Sequence, residues 1–176
     1  MAKLILMLGG ARSGKSTYAE ELAAELGDKV VYLATGRNID DEMLERIEEH
    51  RRRRSSNWKT VEVDSDLAAT ICEYGDEADV ILVDCLTLYV SNLLESQPEK
   101  TILKSIEDLV ENIRDIDSTV IFISNEVGMG IVPPYPLGRI YRDLLGKVNQ
   151  LIAEASDEVY LLIAGIPWRL KYKKIA

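Results

Sequence analysis

Near the start of the chain stands Gly9-Gly10-Ala11-Arg12-Ser13-Gly14-Lys15-Ser16, preceded by the apolar run Leu4-Ile5-Leu6-Met7-Leu8. No other stretch constrains the fold as strongly. It fits the phosphate-binding pattern G-x-x-x-x-G-K-[S/T], in which a buried strand runs into a glycine-rich loop and then a helix. Glycines let the backbone take positive φ, so that successive N–H groups can face phosphate oxygens. Lys15 brings a mobile positive charge for the β- and γ-phosphates, and Ser16 a hydroxyl for Mg²⁺. The helix expected to begin near Lys15 aims its positive end at the same anion. The motif therefore implies a nucleotide-binding domain.

The remaining chain suits that frame. With 176 residues there is enough sequence for one domain with a substantial core, taken here as residues 1–176. A net charge of −9 argues against a general nucleic-acid surface, and the run Arg51-Arg52-Arg53-Arg54 stands out against it. No apolar stretch approaches the roughly 20 residues of a membrane span. No signal-peptide pattern is evident, and cytoplasmic location is the expectation. Cys72 and Cys85 lack metal-site spacing and read as reduced core residues.

Taken in order, Ala19, Leu22, Ala23 and Leu26 recur at helical spacing, with Gly27 as the stop. Val30-Val31-Tyr32-Leu33-Ala34 reads as a second buried strand, completing a βαβ unit of a parallel sheet. Ligands of such sheets lie at the carboxyl ends of strands, which puts Ala34, Thr35 and Gly36 on the same rim as the loop. A charged helix is expected from about Asp40 to Arg54. It carries His50, the chain's one histidine, on a face shared with Arg46 and Arg53 or Arg54. Trp58 to Val63 alternates like a strand with one wet side. Its Glu62 is either a ligand contact or an exposed strand residue. Val80-Ile81-Leu82-Val83-Asp84 reads as a buried strand placing an acid near the Mg²⁺ shell. Residues 86–95 and 101–116 look helical, the latter with a stripe of Ile102, Ile106, Leu109 and Ile113. Thr119 to Ser124 is a further strand, ending in the rim loop Asn125-Glu126-Val127-Gly128-Met129-Gly130. Pro133, Pro134 and Pro136 are expected to keep the next stretch extended. A long helix follows, marked by Ile140, Leu144, Val148 and Leu151, with Arg139 and Arg142 near its start. The chain closes with two short β-like runs, Glu158 to Ile163 and Trp168 to Tyr172, read as an edge pair. The expected architecture is thus α/β: one P-loop NTPase-type domain, its central sheet mostly parallel and flanked by helices, with a possible antiparallel edge strand at the C-terminus.

His50 could narrow the chemistry. A neutral imidazole is a good nucleophile toward phosphorus, its ordinary pKa is about 6.5, and neighbouring guanidinium groups disfavour its protonated form. A histidine on a charged helix can equally be a solvated surface residue. The residues alone also allow a P-loop kinase of another small metabolite, with no covalent nucleotide intermediate, or a nucleotide-switch ATPase acting on a partner.

A family resemblance separates these readings. Gly9 to Ser16, Tyr32-Leu33-Ala34-Thr35, Asp40-Asp41-Glu42-Met43, Arg46-Ile47 with His50, Trp58 with Glu62, and Ser124-Asn125-Glu126-Val127-Gly128-Met129-Gly130-Ile131-Val132-Pro133 occur in that order. The chain so read resembles the bifunctional adenosylcobinamide kinase/adenosylcobinamide-phosphate guanylyltransferases of cobalamin biosynthesis, nearly end to end. The resemblance implies phosphorylation of adenosylcobinamide by ATP or GTP, then attachment of GMP from GTP to give adenosylcobinamide-GDP and pyrophosphate. It implies His50 as the guanylylated residue, while Lys15, with the loop amides and Mg²⁺, would act in catalysis by stabilising the leaving pyrophosphate. Nucleotide contacts would fall on Gly9, Gly10, Ala11, Arg12, Ser13, Gly14, Lys15, Ser16, Ala34, Thr35, Gly36, Arg51, Arg52, Arg53, Arg54, Glu62 and Asp84. Ser16 and Asp84 would hold Mg²⁺, and the chain would assemble as a homotrimer. Asp84 stands where some relatives carry Glu.

Overall fold

The computed structural model describes residues 1–36 and 57–171. The expected helix bearing His50 and Arg51 to Arg54 lies outside the described residues, as does Tyr172.

The described residues build one sheet of seven strands: β1 (Lys3–Gly9), β2 (Val30–Ala34), β3 (Lys59–Glu62), β4 (Val80–Asp84), β5 (Thr119–Asn125), β6 (Glu158–Ile163) and β7 (Ile166–Lys171). Their spatial order is β3-β2-β4-β5-β1-β6-β7, parallel throughout except for β7, which runs antiparallel to β6. The expected C-terminal edge strand is therefore present. Five helices accompany the sheet among the described residues: α1 (Lys15–Leu26), α2 (Leu67–Tyr74), α3 (Leu86–Leu94), α4 (Glu99–Asn112) and α5 (Pro136–Ala155).

Alternation along the strands sorts the core into two layers. Leu4, Leu6, Leu33, Ile81, Val83, Val120 and Phe122 face the layer that α2, α3, α4 and α5 complete with Leu67, Leu86, Ile102, Ile106, Leu144 and Val148. Ile5, Met7, Val30, Tyr32, Val80, Leu82, Ile121 and Ile123 face the other way, onto Ala19 and Ala23 of α1. Small residues on α1 let it sit close over the middle of the sheet. Every strand buried on both faces reads as a continuous apolar run, as a parallel sheet requires.

Several expectations need correction. α2 was not foreseen; it is short, and its signal is Asp66, whose carboxylate accepts from Ala69 N–H at 3.0 Å as an N-cap. Pro136 does not prolong the extended segment but opens α5, because a missing N–H and a fixed φ suit the first helical position. α4 runs from Glu99 to Asn112 and tightens into a 3₁₀ turn at Ile113–Asp115. Cys72 is exposed rather than core, while Cys85 is buried, and both are free thiols. Gly27 does end α1, but in extended backbone, not the left-handed turn. Its place is dictated by contact: a Cβ there would meet Asp79 Cβ at 2.3 Å. Asp79 needs that position, since its carboxylate accepts from the N–H groups of Asp28 and Lys29.

At the start of β6, Glu158 ties β1 to β7. Its carboxylate meets Lys3 Nζ at 2.8 Å, Arg169 at 3.2 Å and the Tyr160 hydroxyl at 2.6 Å. Partial burial pushes this carboxyl up, but Lys3, Tyr160 and Arg169 outweigh it and hold the pKa below its ordinary value. A depressed carboxyl stabilises the fold above its unfolded pKa, about 4.3, and that contribution fades as pH falls through the folded value. Glu158→Gln is therefore expected to lower Tm by about 2–4 °C at pH 7, equivalent to about 1 kcal/mol after allowing for solvent screening. Melts followed by circular dichroism should converge with wild type as the pH falls below the ordinary carboxyl range and through the folded value. A constant difference down to pH 3 would show that the charge is not the cause.

Candidate functional site

β1 ends at Gly9, and the chain turns through the glycine-rich loop into α1. Gly14 takes φ +91° at the helix entrance, and Arg12 also has positive φ, at 56°. Both turns fold the loop back over the strand ends. Gly9 has no room for a side chain: a Cβ would meet Ser13 Oγ at 2.3 Å and the Leu162 carbonyl oxygen at 2.8 Å. Within the loop, Ser13 N–H donates to the Gly10 carbonyl at 3.3 Å, and Lys15 Nζ donates to the same carbonyl at 3.1 Å. Gly10, Ala11 and Arg12 are exposed, Ser13 and Lys15 buried, Gly14 and Ser16 between.

Lys15 is only 9% exposed. Burial pulls its pKa below the ordinary lysine value, while Cys85 and Asp84 push in the opposite direction. A desolvated ammonium calls for an anion, which is what a nucleotide phosphate provides. Asp84 closes β4 on the same side of the sheet as α1, two residues beyond Leu82. The Tyr32 hydroxyl from β2 donates to its Oδ2 at 2.9 Å and so fixes the carboxylate. The Ser16 hydroxyl and the Asp84 carboxylate are hard oxygen donors of the kind Mg²⁺ prefers. Ser13 Oγ is buried with no hydrogen-bond partner among the described residues, an acceptor–donor left for a ligand. The loop thus fits a nucleotide phosphate and its cation.

The neighbouring rim is tightly tied. Thr35 is 1% exposed; its hydroxyl accepts from Cys85 N–H and donates to the Cys85 carbonyl, both at 2.7 Å. Its own carbonyl accepts from Asn92 Nδ2 at 2.9 Å. Thr35 thereby locks β2 to β4, with Ala34 and Gly36 half-buried beside it. Glu62 is exposed at the end of β3, level with Ala34 in the register. Burial, then Asp84, raise the Cys85 thiol to about 11, so it stays protonated and inert at neutral pH. Arg139 donates to the carbonyls of Pro133 and Pro134, and Arg142 pairs with Asp143, so both arginines have local partners.

One contributor escaped sequence reasoning. The β6–β7 turn, with Ala164 at φ 52° and Gly165 at φ 80°, braces the loop: Gly165 N–H donates to the Ser13 carbonyl at 2.8 Å. Two adjacent positive-φ residues between paired strands are the mark of a tight hairpin, and Ala-Gly conveys it only weakly. Asn125, expected on the rim, is there, as the register partner of Gly9. A cavity of about 690 Å³ lies at the opposite strand ends, among Glu25, Asp28, Asp76, Glu77, Asp79 and Asp117. So many carboxylates repel phosphate, and the cavity is no rival to the loop.

Comparison with known proteins decides the family. Residues 5–170 match the family model described as cobinamide kinase / cobinamide phosphate guanyltransferase. The chain belongs to this family. It is 45% identical over 166 residues to the bifunctional adenosylcobalamin biosynthesis protein CobP of Pseudomonas aeruginosa, covering 94% of this chain and 96% of that one. Against the bifunctional adenosylcobalamin biosynthesis protein CobU of Escherichia coli it is 40% identical over 181 residues, covering 96% and 99%. The fold is also that of a solved prototypical ATPase from the type III secretion system of pathogenic bacteria. There the TM-score is 0.61 at 17% identity, with 91% of this chain and 51% of that chain covered. As a member of the cobinamide kinase / guanylyltransferase family, the enzyme phosphorylates cobinamide and guanylylates the cobinamide phosphate. No helix of the described residues is long and apolar enough to cross a membrane.

Proposed function

We propose that both reactions use the one phosphate loop, and that GMP passes through His50. The observation carrying this reading is the buried Lys15 ammonium at a rim shared by Gly9, Asp84 and the N-terminus of α1. In the kinase step ATP or GTP gives its terminal phosphoryl group to the adenosylcobinamide hydroxyl. In the transferase step the His50 imidazole attacks the α-phosphorus of GTP, and the bond to pyrophosphate breaks. A phosphate oxygen of adenosylcobinamide phosphate then attacks the same phosphorus, breaking the P–N bond and giving adenosylcobinamide-GDP. Two in-line displacements retain configuration and split one hard step into two.

The loop amides and Lys15 stabilise charge on the departing phosphates. Mg²⁺ held by Ser16 and Asp84 would neutralise part of the same charge. Arg51, Arg52, Arg53, Arg54, Glu62 and the Ala34-Thr35-Gly36 turn complete the proposed nucleotide contacts. A homotrimer of one-domain chains in the cytoplasm, where nucleoside triphosphates are available, is part of the same reading.

Intact-protein mass spectrometry after incubation with GTP and Mg²⁺ tests it. The expected result is a gain of one GMP mass, labile to acid and stable to base, mapping to the peptide that contains His50. Adenosylcobinamide phosphate added afterwards should discharge the adduct. An adduct on another peptide, or none under turnover conditions, would overturn the assignment.

A further inference from the structure

We infer that the Tyr32 hydroxyl makes Asp84 a one-oxygen donor, and that Tyr32 thereby sets the site's preference for Mg²⁺ over larger divalent cations. β2 and β4 run parallel, with Ala34 level with Asp84 and Tyr32 level with Leu82. Two-residue alternation puts Tyr32, Leu82 and Asp84 on the α1 side, where Tyr32 and Leu82 share a core layer. Ala34 carries only a methyl group opposite Asp84, so the phenol reaches diagonally past it toward the rim. Tyr32 is 4% exposed, and its ring is fixed by packing in that layer.

The result is a carboxylate with two unequal oxygens. Oδ2 accepts from the Tyr32 hydroxyl at 2.9 Å, and Tyr32 is the carboxylate's one hydrogen-bond partner among the described residues. Lys15 interacts with Asp84 electrostatically, but its Nζ donates to the Gly10 carbonyl. The backbone under the carboxylate is tied to the same strand. Thr35 N–H donates to the Asp84 carbonyl at 3.1 Å, and the Thr35 hydroxyl bonds both the N–H and the carbonyl of Cys85. β2 and the residue after it therefore fix the backbone and one oxygen of Asp84. Only Oδ1 is left for a cation or for water bound to it.

That division matters because divalent cations differ in what they ask of a carboxylate. Mg²⁺ demands a near-ideal octahedron and keeps several waters, so a single oxygen at a fixed place suits it. Ca²⁺ accepts more oxygens in looser geometry, including both oxygens of one carboxylate. A hydroxyl bonded to Oδ2 opposes two-oxygen binding, because the larger ion would gain the second oxygen only by breaking that bond. Burial of the phenol makes the loss costlier, since the hydroxyl would give up that acceptor away from water. Outer partners of this kind orient the ligands at metal sites and tune their affinity. The inference rests on the reading that Asp84 serves the nucleotide's cation.

The test titrates MgCl₂ or CaCl₂ into the protein with the α,β-methylene analogue of GTP, from which GMP cannot be transferred, and follows the gain in Tm. Wild type, Tyr32→Phe, Asp84→Asn and the double variant are compared. In Tyr32→Phe the half-saturating Mg²⁺ should rise about 10-fold, while that of Ca²⁺ stays within about 2-fold or falls. In the Asp84→Asn background, Tyr32→Phe should change neither value, because the carboxylate it acts through is gone. Equal weakening for both cations would overturn the inference. A lower Tm without nucleotide, with both half-saturations unchanged, would mean that Tyr32 merely supports the fold and would also overturn it. Asp84→Asn separates the underlying reading: wild-type Mg²⁺ half-saturation there would sink that reading and the inference with it. If Asp84→Asn weakens Mg²⁺ and Tyr32→Phe does not, the reading stands and the inference alone falls.

Discussion

Replacing His50 with alanine is expected to abolish guanylyl transfer, by at least about 10⁴-fold in kcat, while leaving cobinamide phosphorylation within about 3-fold of wild type. The asymmetry follows from the chemistry at the two phosphorus atoms. In the kinase step a neutral hydroxyl attacks the terminal phosphorus, and the loop and Lys15 supply position and charge. In the transferase step both reactants are anionic, a phosphate monoester and a nucleoside triphosphate. Direct attack brings like charges together in a site of low dielectric. In the proposed route the imidazole would remove that difficulty by attacking while neutral. A loss of 10⁴ corresponds to about 5.4 kcal/mol of transition-state stabilisation. Steady-state assays of pyrophosphate release from GTP and of ADP release from ATP read the two steps independently. Transfer that survives in His50→Ala would mean direct displacement. Equal loss of both activities would place the histidine in the common donor site.

Lys15→Met should do the opposite and strike both reactions, by about 10³-fold in kcat. It should also leave the unliganded protein as stable as wild type or more so. Burial lowers the Lys15 pKa in the folded chain, with Cys85 and Asp84 opposing. The unfolded chain therefore binds the proton more tightly, and this lysine destabilises the fold while it is charged. Methionine keeps the packed stem and removes that penalty. The gain should shrink as pH rises through the folded pKa toward the unfolded value near 10.4, where the native amine too becomes neutral. Thermal melts with and without GTP and Mg²⁺ report both halves. Wild type should gain Tm with ligand, whereas the variant should start no lower and gain almost nothing. A variant that melts well below wild type without ligand would show that Lys15 holds the loop together, and the activity loss would then say little about phosphate.

The strands that matter most were legible because both their faces are buried. Leu4 to Leu8 and Val80 to Val83 are continuous apolar runs, and each delivers a chemical residue at its carboxyl end, Gly9 or Asp84. Alternation also assigns Asp84 and Asn125 to the α1 side, but only after Ala19 and Ala23 show which side α1 covers. α2 was illegible because Leu67–Tyr74 is only two turns long, its apolar stripe little more than Leu67 and Ile71. Pro136 was misjudged because a proline after an extended segment is compatible with either more extension or a helix start. Cys72 could not be placed without knowing the face of a helix that was itself unseen. The Thr35 lock and the orphaned oxygen of Asn125 depend on pairings 50 and more residues apart, or on partners that are missing. No local pattern encodes them.

The brace between Gly165 and Ser13 joins segments far apart in the sequence at the phosphate loop. β1 is flanked by β5 and β6, both from the second half of the sequence. During synthesis the phosphate loop therefore emerges well before the two strands that flank it. Until translation reaches the β6–β7 hairpin, the glycine-rich turn has β5 on one side and no brace on the other. The loop's final shape thus depends on a segment made long after the signature motif itself.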